Sequence, residues 1–211
     1  MIKKIIKENL KYIISIIILI IIFTIIKNSS LYDKILNFDH KIIGFRDIII
    51  NEKYTIFFKQ LTFYGDYYIP VLIIVCIFLF NKKKSHAYVN AVNYLSVVLV
   101  TFITKMVVNR ARPTFNLIDI PDPYSFPSGH TLTSIVFYTF LCYIATKDRK
   151  TRKYLLPLIV IMIILISISR IYLGVHYFSD VIGAILIALP LLFMNINIYE
   201  KHFKEVLKWK H

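Results

Sequence analysis

From Tyr12 to Ile26 the chain reads Tyr-Ile-Ile-Ser-Ile-Ile-Ile-Leu-Ile-Ile-Ile-Phe-Thr-Ile-Ile, without one charged side chain. A run of this kind has no polar face to turn to water, so the solvent it fits is the hydrocarbon of a bilayer. In hydrocarbon every backbone N–H and C=O must be satisfied within the segment, which leaves the helix as its conformation. Similar blocks recur at about Leu61–Phe80, Tyr88–Val108, Ser128–Ala145, Tyr154–Ser169 and His176–Asn195. With the first, taken as Leu10–Ile26, they predict an all-α integral membrane bundle of six transmembrane helices, forming a single domain over residues 1–211. The first block follows Lys3, Lys4 and Lys7 as a signal peptide would. Its far end, Lys27-Asn28-Ser29-Ser30, lacks a small-x-small cleavage site, so a retained helix is expected.

The formal net charge is +14. The basic residues lie between the apolar blocks rather than in a stripe interleaved with aromatics, which points to membrane orientation and away from nucleic acid. With the N-terminus in the cytoplasm, 16 of the 26 basic residues fall inside, and the loops carry +12 inside against +2 outside. Both termini are therefore expected in the cytoplasm. Residues 31–60 show a different pattern. Ile35/Leu36, Phe38, Ile42/Ile43, Phe45 and Ile49/Ile50 alternate with Asp39, His40, Lys41, Arg46 and Asp47 at a period of about 3.5, which predicts an amphipathic helix lying in the outer interface between helices 1 and 2. Cys76 and Cys142 each sit inside an apolar block and read as small buried hydrophobes.

In this topology three polar clusters fall on the outer side. The first is Lys105-Met-Val-Val-Asn-Arg-Ala-Arg112-Pro113, the second Pro127-Ser128-Gly129-His130, and the third Ser169-Arg170-Ile-Tyr-Leu-Gly-Val-His176-Tyr-Phe-Ser-Asp180. Lys105, Arg112 and Arg170 are three cations in need of an anion, and the Arg fork matches phosphate oxygens. Ser128 stands where a helix begins, so its hydroxyl and the free N–H groups of the first turn suit the same anion. Gly129 lets a ligand approach the backbone closely. His176 and Asp180, four apart on a predicted helix, share a face; a carboxylate there would fix the imidazole tautomer and offset its developing charge, as a nucleophilic histidine requires. His130, beside the cradle, reads as the general acid and later the base. Arg110 reads as facing solvent or lipid head groups, and Asp66 as an interfacial cap or, alternatively, a contact to substrate or a cradle arginine. No His/Cys/acidic cluster offers a metal site, and no cofactor is expected.

Together the three segments resemble the signature of the type 2 phosphatidic acid phosphatase superfamily: Lys-x6-Arg-Pro, Pro-Ser-Gly-His, and Ser-Arg-x5-His-x3-Asp. Every position is filled, within residues 105–180. The resemblance implies a membrane lipid phosphatase of bacterial type. His176 would form a phosphohistidine with Asp180 as its orienter, His130 would be the acid/base, and Lys105, Arg112, Ser128, Gly129 and Arg170 would hold the phosphoryl oxygens. Implied substrates are undecaprenyl diphosphate, phosphatidylglycerol phosphate or phosphatidate, cleaved at the outer face of the cell membrane without metal. Alternatives are a lipid phosphotransferase using the same site and a non-catalytic lipid-binding membrane protein. Vanadium haloperoxidases share such a cradle, but they are soluble and fit the apolar blocks poorly.

Overall fold

The computed structural model describes residues 2–81, 84–120, 122–146 and 149–204. Within them the chain is helical: α1 (Ile2–Lys27), α2 (Ser30–Ile49), α3 (Glu52–Phe63), α4 (Tyr68–Phe80), α5 (Lys84–Val108), α6 (Gly129–Thr133), α7 (Thr139–Ala145), α8 (Arg149–Tyr172) and α9 (Phe178–Ile198). Several residues of the charge count, among them Lys82, Lys83, Lys147, Asp148, Glu205, Lys208 and Lys210, lie outside the described residues.

Helices α1, α5, α8 and α9 (continued to Phe203 by a π-helical turn) are long and apolar enough to cross a membrane. α3 and α4 together make a fifth candidate, bent by 42° at the break between them. The expected second span, Leu61–Phe80, is thus not one straight helix. Gly65 lies in this break, and a Cβ there would come within 2.7 Å of Ile166 and 2.9 Å of the His130 ring, so the turn closes on the site only because the position is glycine. Pro70 then falls in the first turn of α4, where its missing N–H costs no helical bond.

The expected span Ser128–Ala145 is Gly129–Ala145, an apolar helix of α6, a π-helical turn at Ser134–Tyr138 and α7. At about 1.5 Å per residue it is shorter than the ~30 Å hydrocarbon core. It lies inside the bundle rather than at its edge, with Leu132, Val136 and Phe140 buried against Ile187, Ala188 and Leu191 of α9 and Val97 of α5.

α1 runs along α9, α4 along α5 and α3 along α8. On α1 only Asn9 and Ile16 are buried; Ile17, Ile18, Ile21 and Ile22 stay open, as befits a helix whose outer face meets lipid. The segment expected as one interfacial helix is two, α2 and α3. α2 turns Asp39 and Arg46 inward and leaves Phe38, Phe45 and Ile48 exposed, because those two charges have partners inside the bundle.

The start of α1 pairs with the end of α9 and the turn that follows it. His202 Nε2 is 2.8 Å from Glu8 Oε2, and Asn197 donates to Asn9 Oδ1 at 2.9 Å. The other end of α1 meets the first of the three polar clusters, where Lys27 Nζ donates to the Asn109 carbonyl at 2.6 Å.

Candidate active site

Between α5 and α6 the chain folds back on itself. Ala111 and Tyr124 form an antiparallel bridge, and Ser125 N donates to the Arg110 carbonyl at 2.8 Å. This carries Arg112 and Asp122 over the end of α5, where Lys105 emerges. Lys105 Nζ pairs with the Asp122 carboxylate and donates to the Tyr124 carbonyl at 3.0 Å. Arg112 Nε donates to the Asp122 carbonyl at 2.7 Å, and its Nη2 stands 3.5 Å from Asp122 Oδ2. Burial pushes the Asp122 carboxyl up, but the Lys105 hydrogen bond, the Tyr124 N–H and the charges of Lys105 and Arg112 more than offset it and hold the group below the usual carboxylate range.

Ser128 caps α6, as expected. Its Oγ accepts from Thr131 N at 3.4 Å and from the Thr131 hydroxyl at 3.0 Å, and its own N–H donates to the Asp180 carbonyl at 3.2 Å. The second and third clusters are thereby joined through backbone. Gly129 opens α6, with only Thr101 at ordinary contact distance from where a Cβ would stand. His130 follows in the same turn, within electrostatic reach of His176, Arg170, Lys105 and Arg112.

The third cluster depends on how α8 ends. Gly174 adopts φ +72°, a left-handed conformation that suits glycine, and the N–H groups of Val175 and His176 turn back to the Arg170 carbonyl at 3.2 and 3.3 Å. His176 therefore lies in the connection between α8 and α9, and the expected shared helix face with Asp180 does not exist. A different device brings the two together. Asp180 is the third residue of α9, and its Oδ2 reaches back to accept the Tyr177 N–H at 2.8 Å in a capping box. The same oxygen stands 3.5 Å from His176 Nδ1.

His176 presents its other nitrogen to the cradle. Nε2 is 3.3 Å from Arg112 Nη1, which also donates to the Val175 carbonyl at 2.6 Å. The ring is 2% exposed. Burial, then the charges of Arg112, Arg170 and Lys105, pull its pKa well below the ordinary imidazole value. At neutral pH it is uncharged and keeps a lone pair. Arg170 is buried as well, with Nη1 donating to the Thr62 hydroxyl at 2.7 Å and Nε without a hydrogen-bond partner.

All eight expected site residues thus come together at one end of the bundle. Four others were not expected there. Asp122 bridges Lys105 and Arg112, and Thr62 steers Arg170. Arg110, expected at the surface, is 3% exposed and donates to Asp180 Oδ1 at 2.6 Å and Asp39 Oδ2 at 2.8 Å. Burial works against the Arg110 charge, but Asp180 and Asp39 prevail and raise its pKa above the ordinary guanidinium value. The surface assignment failed because Arg110 and Asp39 have no sequence neighbour that announces the pair. Asp66 accepts the Tyr67 N–H at 2.7 Å in the break before α4 but caps no helix, and its charge acts on Arg170. Among the described residues, no group of three or more His, Cys, Asp or Glu could hold a metal ion.

Comparison with known proteins follows the same segments. The family model described as the PAP2 superfamily matches residues 86–204. Phosphatidylglycerophosphatase B of Bacillus subtilis is 32% identical over 107 residues, 49% of this chain and 53% of that protein, so the match spans about half of the relative's length. Undecaprenyl-diphosphatase of Sulfolobus acidocaldarius is 26% identical over 164 residues, 75% of each chain. Among solved structures, the transmembrane PAP2-type phosphatidylglycerolphosphate phosphatase of Bacillus subtilis superposes with a TM-score of 0.78 at 23% identity, covering 90% of this chain and 96% of that one. Aquifex aeolicus LpxE superposes at 0.57 with 21% identity, over 73% of this chain and 92% of that one. These two likenesses speak to the fold.

Proposed function

The chain belongs to the PAP2 superfamily, as a multi-pass membrane protein, and on that footing we propose that it hydrolyses a lipid phosphate or diphosphate through a phosphohistidine on His176. The observation that carries this reading is the setting of His176: a buried, uncharged ring with Nε2 beside Arg112 and Nδ1 facing Asp180.

Phosphate oxygens held by Lys105, Arg112 and Arg170, and by the N–H groups at the start of α6, would set phosphorus in front of His176 Nε2. Attack forms the N–P bond and breaks the P–O bond to the lipid. The cations draw off charge as it grows on the equatorial oxygens. Asp180 compensates the ring as it becomes cationic. His130, protonated once the charge of the bound phosphate offsets the cations around it, gives that proton to the departing oxygen, then takes one from water. That water attacks phosphorus, the N–P bond breaks, and inorganic phosphate leaves with His176 restored.

The apolar exterior of α1, α2 and α5 favours a lipid as the bearer of the phosphate. A groove of about 380 Å³ beside Arg110, lined by Phe23, Ile35, Phe38, Phe126, Phe178 and Ile182, offers room for part of an acyl or isoprenoid chain. The names of the relatives make phosphatidylglycerol phosphate and undecaprenyl diphosphate the first substrates to test, with phosphatidate as the third. We further propose six crossings with both termini in the cytoplasm and the site outward. The +12 against +2 charge asymmetry supports this, as does the pairing of Glu8 with His202 and of Asn9 with Asn197 away from the site. Phosphate release from these three lipids by the purified full chain is the test. Turnover on at least one, absent in His176→Ala, is expected. No release from any of them by intact protein would overturn the reading.

A further inference from the structure

The mechanism above uses Asp180 but leaves unexplained what stands behind it. Arg110 lies between two carboxylates, Asp180 and Asp39, which are each 0% exposed. The arrangement is closed by Ser179. Its hydroxyl donates to Asp39 Oδ2 at 2.5 Å, its N–H donates to Asp39 Oδ1 at 3.0 Å, and Arg110 Nη1 reaches its Oγ at 2.7 Å. The guanidinium stacks on the Tyr177 ring at 4.3 Å from the centroid, and its Nε donates to the Tyr32 hydroxyl at 3.3 Å. Three elements meet here: α2 brings Asp39, the loop after α5 brings Arg110, and α9 brings Ser179 and Asp180.

Charge makes the arrangement informative. A lone Asp180–Arg110 pair would be neutral. It would then give the imidazole little compensation, although Lys105, Arg112 and Arg170 already press positive charge on that ring. Adding Asp39 returns the buried group to a net −1. Arg110 fixes the position of Asp180, and Asp39 cancels the charge that this fixing introduces. A buried guanidinium shared by two carboxylates is otherwise a poor way to gain stability, since desolvation consumes most of the attraction.

We propose that Asp39 and Arg110 are positioning residues for the reaction: a buried carboxylate–guanidinium–carboxylate relay that holds Asp180 against His176 while keeping the charge behind the nucleophile at −1. Asp39 lies outside the segment matched by the family model, so α2 is a working part of the site and not a surface appendage. The inference rests on the phosphatase reading above, with His176 as nucleophile.

The test uses the purified full chain and whichever of phosphatidate, phosphatidylglycerol phosphate or undecaprenyl diphosphate the wild type hydrolyses fastest. Asp39→Asn changes the relay from −1 to neutral, Arg110→Gln changes it to −2, and the double variant returns it to −1 with neutral hydrogen-bonding side chains, the Gln shorter than the Arg it replaces. Each single variant is expected to lose about 10²-fold in kcat, the scale of a misplaced catalytic group. KM should stay within about threefold, because neither residue touches the phosphate. The double variant is expected to recover to within about tenfold of wild type, since the charge balance returns. Losses that multiply in the double variant, or a rise in KM with kcat unchanged, would overturn the relay. Should a single variant not fold, Arg110→Lys keeps the charge but cannot fork to both carboxylates. A kcat about tenfold lower at unchanged KM supports the proposal there, and an unchanged kcat overturns it. A wild type that releases no phosphate from any of the three lipids overturns the phosphatase reading as well. An active wild type with additive variants overturns the relay alone.

Discussion

Neutralising Asp122 is expected to tighten phosphate binding. Its carboxylate pairs with Lys105 and stands 3.5 Å from Arg112 Nη2, and these are two of the three cations proposed to hold phosphate. An incoming phosphoryl group must therefore displace the Asp122 carboxylate or share its partners. At 3.5 Å and an effective dielectric of 20, one such pair would be worth about 5 kcal/mol. Solvent reduces this: the Asp122 side chain is 37% exposed, against 14% for Lys105 and 10% for Arg112. Exposed pairs are worth about 0–1 kcal/mol, so two partly exposed ones compete with phosphate by about 1–2 kcal/mol. That corresponds to an affinity change of about 5- to 30-fold. Asp122→Asn keeps the shape, and its Oδ1 can still accept the Tyr124 N–H, now at 2.9 Å. The assay is the inhibition constant of inorganic phosphate against lipid phosphate turnover. It should fall by that factor near pH 7, where the carboxyl, held below its ordinary pKa, is ionised. An unchanged or weakened inhibition constant would refute the competition and make Asp122 a structural brace of the cradle.

Other outcomes follow from the same geometry. Arg170→Ala should cost about 10²–10³ in turnover, the scale of losing one preorganised charge donor, and wild-type turnover should survive EDTA because the cradle's charge comes from side chains. Thermal stability should fall as pH drops below about 6.5. The depressed folded pKa of His176 means that the unfolded chain binds that proton first, which contributes about 1.4 kcal/mol per pH unit until the folded pKa is reached; His176→Gln should reduce the slope by that amount in thermal unfolding measured between pH 5 and 7. Single cysteines at Asn116 and Lys150, with Cys76 and Cys142 removed, should label oppositely with an impermeant maleimide on intact cells. Labelling at 150 and not at 116 would place the site in the cytoplasm.

The residues proposed to act on phosphate were legible in the sequence because their chemistry dictates their type and local spacing. Lys105, Arg112, Ser128, His130, Arg170, His176 and Asp180 come from three short segments, and each segment announces itself. The pairing of His176 with Asp180 was anticipated for the wrong local reason: Gly174 ends α8 and keeps His176 off the helix, and the capping box of α9 supplies the approach instead. The residues behind the cradle were not legible. Asp39 and Arg110 are 71 positions apart, and Thr62 and Arg170 are 108 apart. Without a partner in view, a charge in a loop or on an amphipathic helix reads as solvated. The period of α2 was correct, but it could not tell which face met the protein and which met lipid. The break at Gly65 carries an ordinary turn signal, yet the apolar density on either side masked it.

The central claim is that phosphorus becomes bonded to His176, and trapping that bond tests it most directly. The purified chain is mixed with lipid substrate labelled in the scissile phosphate, quenched in alkali within a turnover, digested and sequenced by mass spectrometry. The acid-labile, alkali-stable phosphate is expected on His176, absent in His176→Ala and retained in His130→Ala, where leaving-group departure slows but the nucleophile is intact. Label on His130 in the wild type, or turnover undiminished in His176→Ala, would contradict the account.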